Sequence, residues 1–113
     1  MIAPMKKILI IDDEKDLGLI LKNFFTKKKY EVYLSYTIED GMKLMEEIIP
    51  DYILLDNNLP DGSGWGKTEY ISKKFPAIEL NLISAYHVPK TSATGFRILE
   101  KPISLEELDK IFC

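Results

Sequence analysis

Four apolar runs in this sequence each end in a side chain that can do chemistry. Ile8-Leu9-Ile10-Ile11 runs into Asp12-Asp13-Glu14. Tyr52-Ile53-Leu54-Leu55 runs into Asp56, followed by Asn57-Asn58-Leu59-Pro60-Asp61-Gly62-Ser63-Gly64. Glu79-Leu80-Asn81-Leu82-Ile83 stops at Ser84, and Phe96-Arg97-Ile98-Leu99 leads to Glu100-Lys101-Pro102. If the runs are parallel strands, these ends share one edge, and in open α/β sheets ligands bind at that edge. Two carboxylates about 4 Å apart repel by ~4 kcal/mol at a surface-like dielectric. Three therefore hold protons or need a cation. A hard divalent ion such as Mg2+ takes oxygen ligands and accepts phosphate oxygens. The formal charges of three carboxylates, Mg2+ and Lys101 cancel. A phosphoryl group arriving there would meet a metal, an ammonium and a hydroxyl, which suits phosphoryl transfer. Asp56 is the candidate nucleophile, since carboxylates form acyl phosphates. Each residue also has a plain reading. Asp12 and Asp13 could cap a helix, Lys101 could be a surface lysine, and Ser84 a loop-edge serine. Their joint occurrence favours the site.

The elements that must position these residues are legible from periodicity. The apolar runs read as strands over 8–11, 52–56, 79–84 and 96–99, with a further strand over Glu31–Ser35. Leu17, Ile20, Leu21, Phe24 and Phe25 recur at helical spacing, predicting a helix from about Lys15 to Lys28. Thr37 and Asp40 read as a capping box opening a second helix, whose face is Met42, Leu44, Met45, Ile48 and Ile49 and which Pro50 stops. Its methionines read as core filler. A third helix is expected from Trp65 to Lys74, stopped by Pro76. The glycines at 62, 64 and 66 read as turn residues, because the spacing is not that of a phosphate-binding loop. Ser104 and Glu107 form a second capping box before Leu105, Leu108, Ile111 and Phe112. Residues 85–95 have weak periodicity and fit at most a short helix; His87 there reads as an exposed loop residue. Alternating strands and helices predict an α/β fold with a parallel sheet covered on both faces, joined by right-handed crossovers.

Bulk properties narrow the function. The 113 residues suffice for one domain with one core. Hydrophobic and charged contents of 46% and 29% are those of a globular chain. A net charge of −3 argues against direct nucleic-acid binding. Lys27-Lys28-Lys29, the basic run, falls at a helix end, where cations complement the dipole. The single cysteine, Cys113, cannot form an intrachain disulfide, which agrees with a reducing compartment. No run is long enough to cross a bilayer and no signal-peptide core follows Met1, so a cytoplasmic location is expected.

With these residues in view, the sequence resembles the receiver domains of response regulators in bacterial two-component signalling. The resemblance spans about Lys6 to the end. It rests on Ile11-Asp12-Asp13-Glu14, Leu55-Asp56 with Leu59-Pro60-Asp61 and Gly64, Ile83-Ser84-Ala85, and Lys101-Pro102. It implies a flavodoxin-like three-layer sandwich with a five-stranded parallel sheet in the order 2-1-3-4-5. It further implies that Asp56 accepts a phosphoryl group from a sensor histidine kinase or phosphotransfer protein, without the chain being an enzyme beyond its own phosphorylation and autodephosphorylation. Asp13 would bind Mg2+ directly, Asp12 largely through water, Asp56 as acceptor, and Asn58 through its backbone carbonyl. Ser84 would be the switch hydroxyl, Lys101 would pair with phosphoryl oxygens, and Pro102 would follow a cis peptide bond.

The sequence departs from the family pattern twice. The Ser84–Lys101 segment is short, so a shortened or irregular fourth helix is expected. Ile98 stands where the family places an aromatic, with Phe96 on the same strand face but farther from the rim. A receiver-fold module that is never phosphorylated is the main alternative, favoured by the short segment and opposed by the intact acids and Lys101. A small-molecule phosphatase fits Asp12 and Glu14 only in part and lacks length for a cap, and an acidic turn after the first strand would repel a flavin phosphate. The last helix reads as clipped, so both a stand-alone receiver and the front of a longer regulator fit. The output partner is unknown, and the oligomeric state, a homodimer included, is left open.

Overall fold

The computed structural model describes residues 4–85 and 96–112. Five parallel strands form the sheet: β1 (Lys7–Ile11), β2 (Glu31–Ser35), β3 (Tyr52–Asp56), β4 (Glu79–Ser84) and β5 (Arg97–Glu100). Their order is β2-β1-β3-β4-β5, the expected flavodoxin-like order. The helices are α1 (Lys15–Lys27), α2 (Ile38–Ile48), α3 (Thr68–Lys74) and α4 (Leu105–Ile111).

Alternation along each strand sorts the apolar side chains into two cores. Leu9, Ile11, Ile53, Leu55, Leu80 and Leu82 face α2 and α3, packing with Ile38, Met45 and Ile71. Ile8, Ile10, Leu54, Ile83 and Leu99 face the opposite side, packing with Leu21 and Phe25 of α1 and Leu108 and Phe112. The sheet is thus the middle of three layers. Phe96 and Ile98 both pack against the first core, as their shared parity requires. Met45 is fully buried and Met42 packs against the same core, so both methionines are core filler.

Local chemistry sets three of the helix ends. The Thr37 hydroxyl accepts from the Asp40 amide at 3.1 Å, and the Ser104 hydroxyl from the Glu107 amide at 3.2 Å. α2 ends at Ile48, with Ile49 left-handed at φ 46° and Pro50 following.

The structure corrects the sequence reading at several places, among them Ile49, which lies past the end of α2 and is exposed. The third helix begins as a 3-10 turn over Gly64–Lys67, so its α-helical part is only Thr68–Lys74. The fifth strand is shifted one residue, to Arg97–Glu100. Ile20 is 52% exposed rather than part of the buried stripe of α1, where Gly18, Leu21 and Phe25 make the contact. Lys28 is not merely a solvated cap, because it forms an ion pair with Asp109 across to α4. The expected fourth helix, His87 and Cys113 lie outside the described residues.

Phe112 closes the end of the α1/α4 core. Its ring stands edge-on to Phe25 at 5.1 Å and to Tyr52 at 5.3 Å between centroids, and it is 2% exposed. Such pairs add to area burial. Truncating a buried aromatic costs about 3–5 kcal/mol. Phe112→Ala is expected to lower unfolding free energy by that order in urea denaturation, with the largest loss of amide protection in α1 and α4.

Candidate functional site

The sheet register levels the strand ends. Ile11 pairs with Leu55 and Ser35, Asp56 with Ile83, and Ser84 with Glu100. Backbone bonds carry the ladder just past the strands. The Asp12 amide donates to the Ser35 carbonyl at 3.0 Å, Asn57 to Ile83 at 3.2 Å, and Lys101 to Ser84 at 2.8 Å. Residues beside and just beyond these ends are therefore held by the sheet rather than by loose loops.

Carboxylate oxygens of Asp12, Asp13 and Asp56 lie within 4.8 Å of one another. Asp12 and Asp56 are buried, at 2% and 3% exposure, while Asp13 is exposed. The Lys101 ammonium reaches this group from β5. It stands 3.0 Å from Asp12 Oδ2, 3.2 Å from Glu14 Oε1 and 3.6 Å from Asp56 Oδ1. The peptide bond between Lys101 and Pro102 is cis. Ser84 is buried at the end of β4, and Asn58 lies in a short hairpin that pairs Asn58–Leu59 with Gly62–Ser63. The rim thus gathers Asp12, Asp13, Asp56 and Lys101 around one point. Ser84 shares their edge, and Asn58 lies two residues past Asp56.

The electrostatics of this rim are unbalanced. The Asp56 carboxyl is pushed up to about 6, with burial the largest cause. Repulsion from Asp12 adds to this, with a smaller push from Asp13, against the pull of Lys101 and the Asn57 amide. Burial pulls the Lys101 ammonium down, but contact with Asp12 and the charges of Asp56 and Glu14 raise it overall. Asp12 Oδ2 is in ion-pair contact with Lys101 yet out of hydrogen-bond alignment, so it has no donor among the described residues. A buried carboxylate oxygen without a donor, beside a second carboxylate that burial discourages from ionising, fits a cation position. The donors are all oxygen, which suits a hard divalent ion.

Three supporting residues were not assigned these roles in the sequence reading. Asp61 accepts from the Ile38 and Glu39 amides at 2.8 and 2.9 Å, so the loop after Asp56 caps α2 from outside that helix. Those contacts hold the Asp61 carboxyl below its ordinary range. Partners 22 and 23 residues away leave no local pattern. Gly64 lies so close to the main chain that a Cβ would stand 2.0 Å from the Asp56 carbonyl oxygen. The turn reading of the glycines holds at Gly62, with φ 139°, whereas Gly64 is required by this close approach. Glu14 hydrogen-bonds Lys101 from 87 residues away; the acidic run after β1 was the available signal.

Comparison with known proteins bears on the site. Residues 8–112 match the model of the response regulator receiver domain. The chain is 30% identical over 111 residues to the response regulator protein PilR of Pseudomonas aeruginosa, covering 94% of this chain. It spans 25% of PilR's own length. Among solved structures it resembles a CheY-like response regulator receiver domain protein from Methanospirillum hungatei, with TM-score 0.86 and 26% identity over 96% of this chain and 91% of that one. It also shares the fold of a response regulator protein from Burkholderia pseudomallei with a phosphorylated aspartic acid, calcium ion and citrate. That match has TM-score 0.82 and 21% identity, covering 91% of this chain and 64% of that one.

The raised Asp56 carboxyl has a thermodynamic consequence. In the folded protein it binds its proton more tightly than the ordinary value of 3.8 allows. Its favourable contribution is therefore complete below about pH 4 and lost as pH rises through about 6. A rise of this size corresponds to about 3 kcal/mol at most. In metal-free protein, Asp56→Asn is expected to be more stable than the parent at pH 8, by roughly 1–3 kcal/mol. The gap should close toward pH 4 in urea unfolding curves. A gap of equal size at both pH values would contradict the burial argument.

Proposed function

This chain belongs to the family of response regulator receiver domains, and we propose that Asp56 is its phosphoryl acceptor. An Asp56 carboxylate oxygen forms the new bond to phosphorus. The bond from phosphorus to the donor's leaving group breaks, and its electron pair departs with that group. With a phosphohistidine donor the leaving group is an imidazole nitrogen, and the product on this chain is an acyl phosphate. The observation that supports the reading most is the burial of Asp56 within 4.8 Å of Asp12 and Asp13.

The remaining residues take roles consistent with their positions. Asp12, Asp13, Asp56 and the Asn58 carbonyl would hold Mg2+. When bound, that ion neutralises charge on the transferring oxygens. Lys101 stands 3.6 Å from Asp56 and supplies a cation for phosphoryl oxygens. Ser84 supplies a hydroxyl donor from the end of β4. The pairing of a phosphorylated aspartic acid with a divalent ion in the Burkholderia pseudomallei protein agrees with this arrangement. The proposed donor is a sensor histidine kinase or phosphotransfer protein, and the proposed location is cytoplasmic. Among the described residues no helix is long and apolar enough to cross a membrane. The chain acts as a switch that is modified in turn, not as an enzyme on other substrates.

Intact-mass measurement after incubation with acetyl phosphate and Mg2+ tests this. One added phosphoryl group is expected on the parent and none on Asp56→Asn. No addition to the parent, or addition persisting in Asp56→Asn, would sink the acceptor assignment. Mg2+ titration read by Trp65, which follows the hairpin in the 3-10 turn, is expected to saturate. A flat fluorescence response with no added mass would favour an unphosphorylated interaction module.

A further inference from the structure

We propose that Glu14 is a positioning residue: it holds the Lys101 ammonium at the solvent lip of the site, so that an incoming phosphoryl group must draw the ammonium away. The inference rests on the acceptor role of Asp56 and concerns how fast that role is exercised. Three carboxylates surround this ammonium, and the distances alone favour Asp12. Alignment favours another. Among the described residues the hydrogen bond Lys101 donates goes to Glu14 Oε1, at 3.2 Å, whereas the nearer Asp12 Oδ2 receives none. Asp56 is the farthest of the three, at 3.6 Å.

Glu14 is built for such a hold. Its main chain is fixed on both sides: its amide donates to Asp12 Oδ1 at 2.8 Å, and its carbonyl accepts from Gly18 at 3.0 Å as α1 begins. Its side chain makes no cap bond to α1 and is 57% exposed, against 12% for Lys101. A fixed backbone with a solvent-facing carboxylate gives a contact that forms and releases without disturbing the core. A cation shared by Asp12, Asp13 and Asp56 would satisfy those three acids, leaving Glu14 as the competing anion. An exposed carboxylate holds an ammonium weakly, whereas a phosphoryl group carries more charge at a buried position. The hold therefore delays the encounter without preventing it.

The experiment compares the parent with Glu14→Gln and Glu14→Asp. Glutamine removes the charge; aspartate keeps the charge but shortens the reach. Both are expected to be phosphorylated by acetyl phosphate about two- to five-fold faster than the parent, the rate equivalent of an exposed ion pair. In metal-free protein, urea unfolding of Glu14→Gln with and without Lys101→Met is expected to show coupling between the two positions. If only Glu14→Gln is faster, the effect is one of charge on the donor and the inference fails. It fails equally if neither is faster, or if the two positions do not couple. These failures leave Asp56 as acceptor, whereas a parent that gains no phosphoryl group removes the acceptor assignment and this inference together.

Discussion

The mutual repulsion of Asp12, Asp13 and Asp56, answered by one largely buried ammonium, is the constraint that the rest of this molecule serves. Carboxylates in solution would separate. Here they cannot, because their main chains are tied to a parallel sheet whose strand ends are level. Hydrogen bonds that run one step past the strands hold Asp12, Asn57 and Lys101 in turn. The two apolar cores above and below the sheet supply the rigidity that keeps the acids together. Stability at the rim is thereby exchanged for readiness: a site that disfavours its own charge favours a proton or a cation that relieves it.

The loop after Asp56 is held as firmly as the strands. Gly64 presses against the Asp56 carbonyl where a side chain would not fit, and its amide donates to the Asn57 carbonyl at 2.9 Å. Asp61 then fastens the same loop to the first turn of α2 through two amides. Asp56 is thereby joined to α2 by a short run of directed bonds, and to the end of β5 by its ion pair with Lys101, whose amide is bonded to Ser84.

Much of this was legible in the residues themselves, for physical reasons. β3 and β4 have the expected bounds because buried parallel strands leave continuous apolar runs with sharp polar ends, and β2, a half-buried edge strand, is legible from its loose alternation. Asp12, Asp13, Asp56 and Lys101 could be brought together on paper because alternation of strand and helix forces all strand ends to one edge. What could not be read depends on contacts between distant segments. The Asp61 cap, the Lys28–Asp109 pair and the Glu14–Lys101 bond each join residues with no common local pattern. Ile20 fitted helical spacing yet faces outward, because the buried face of α1 runs through Gly18, Leu21 and Phe25. The 3-10 turn at Gly64–Lys67 begins at the residue that approaches Asp56 most tightly, and spacing does not encode that approach.

Asp56 holds its proton more tightly than a carboxylate should, and a divalent cation bound at the rim would displace it. Calorimetric titration with Mg2+ in buffers of different ionisation heat reads this directly. Saturable binding is expected at pH 6 with release of about half a proton per ion, falling toward none at pH 8. Saturable binding with no proton release at pH 6, or no saturable binding at either pH, would contradict the account.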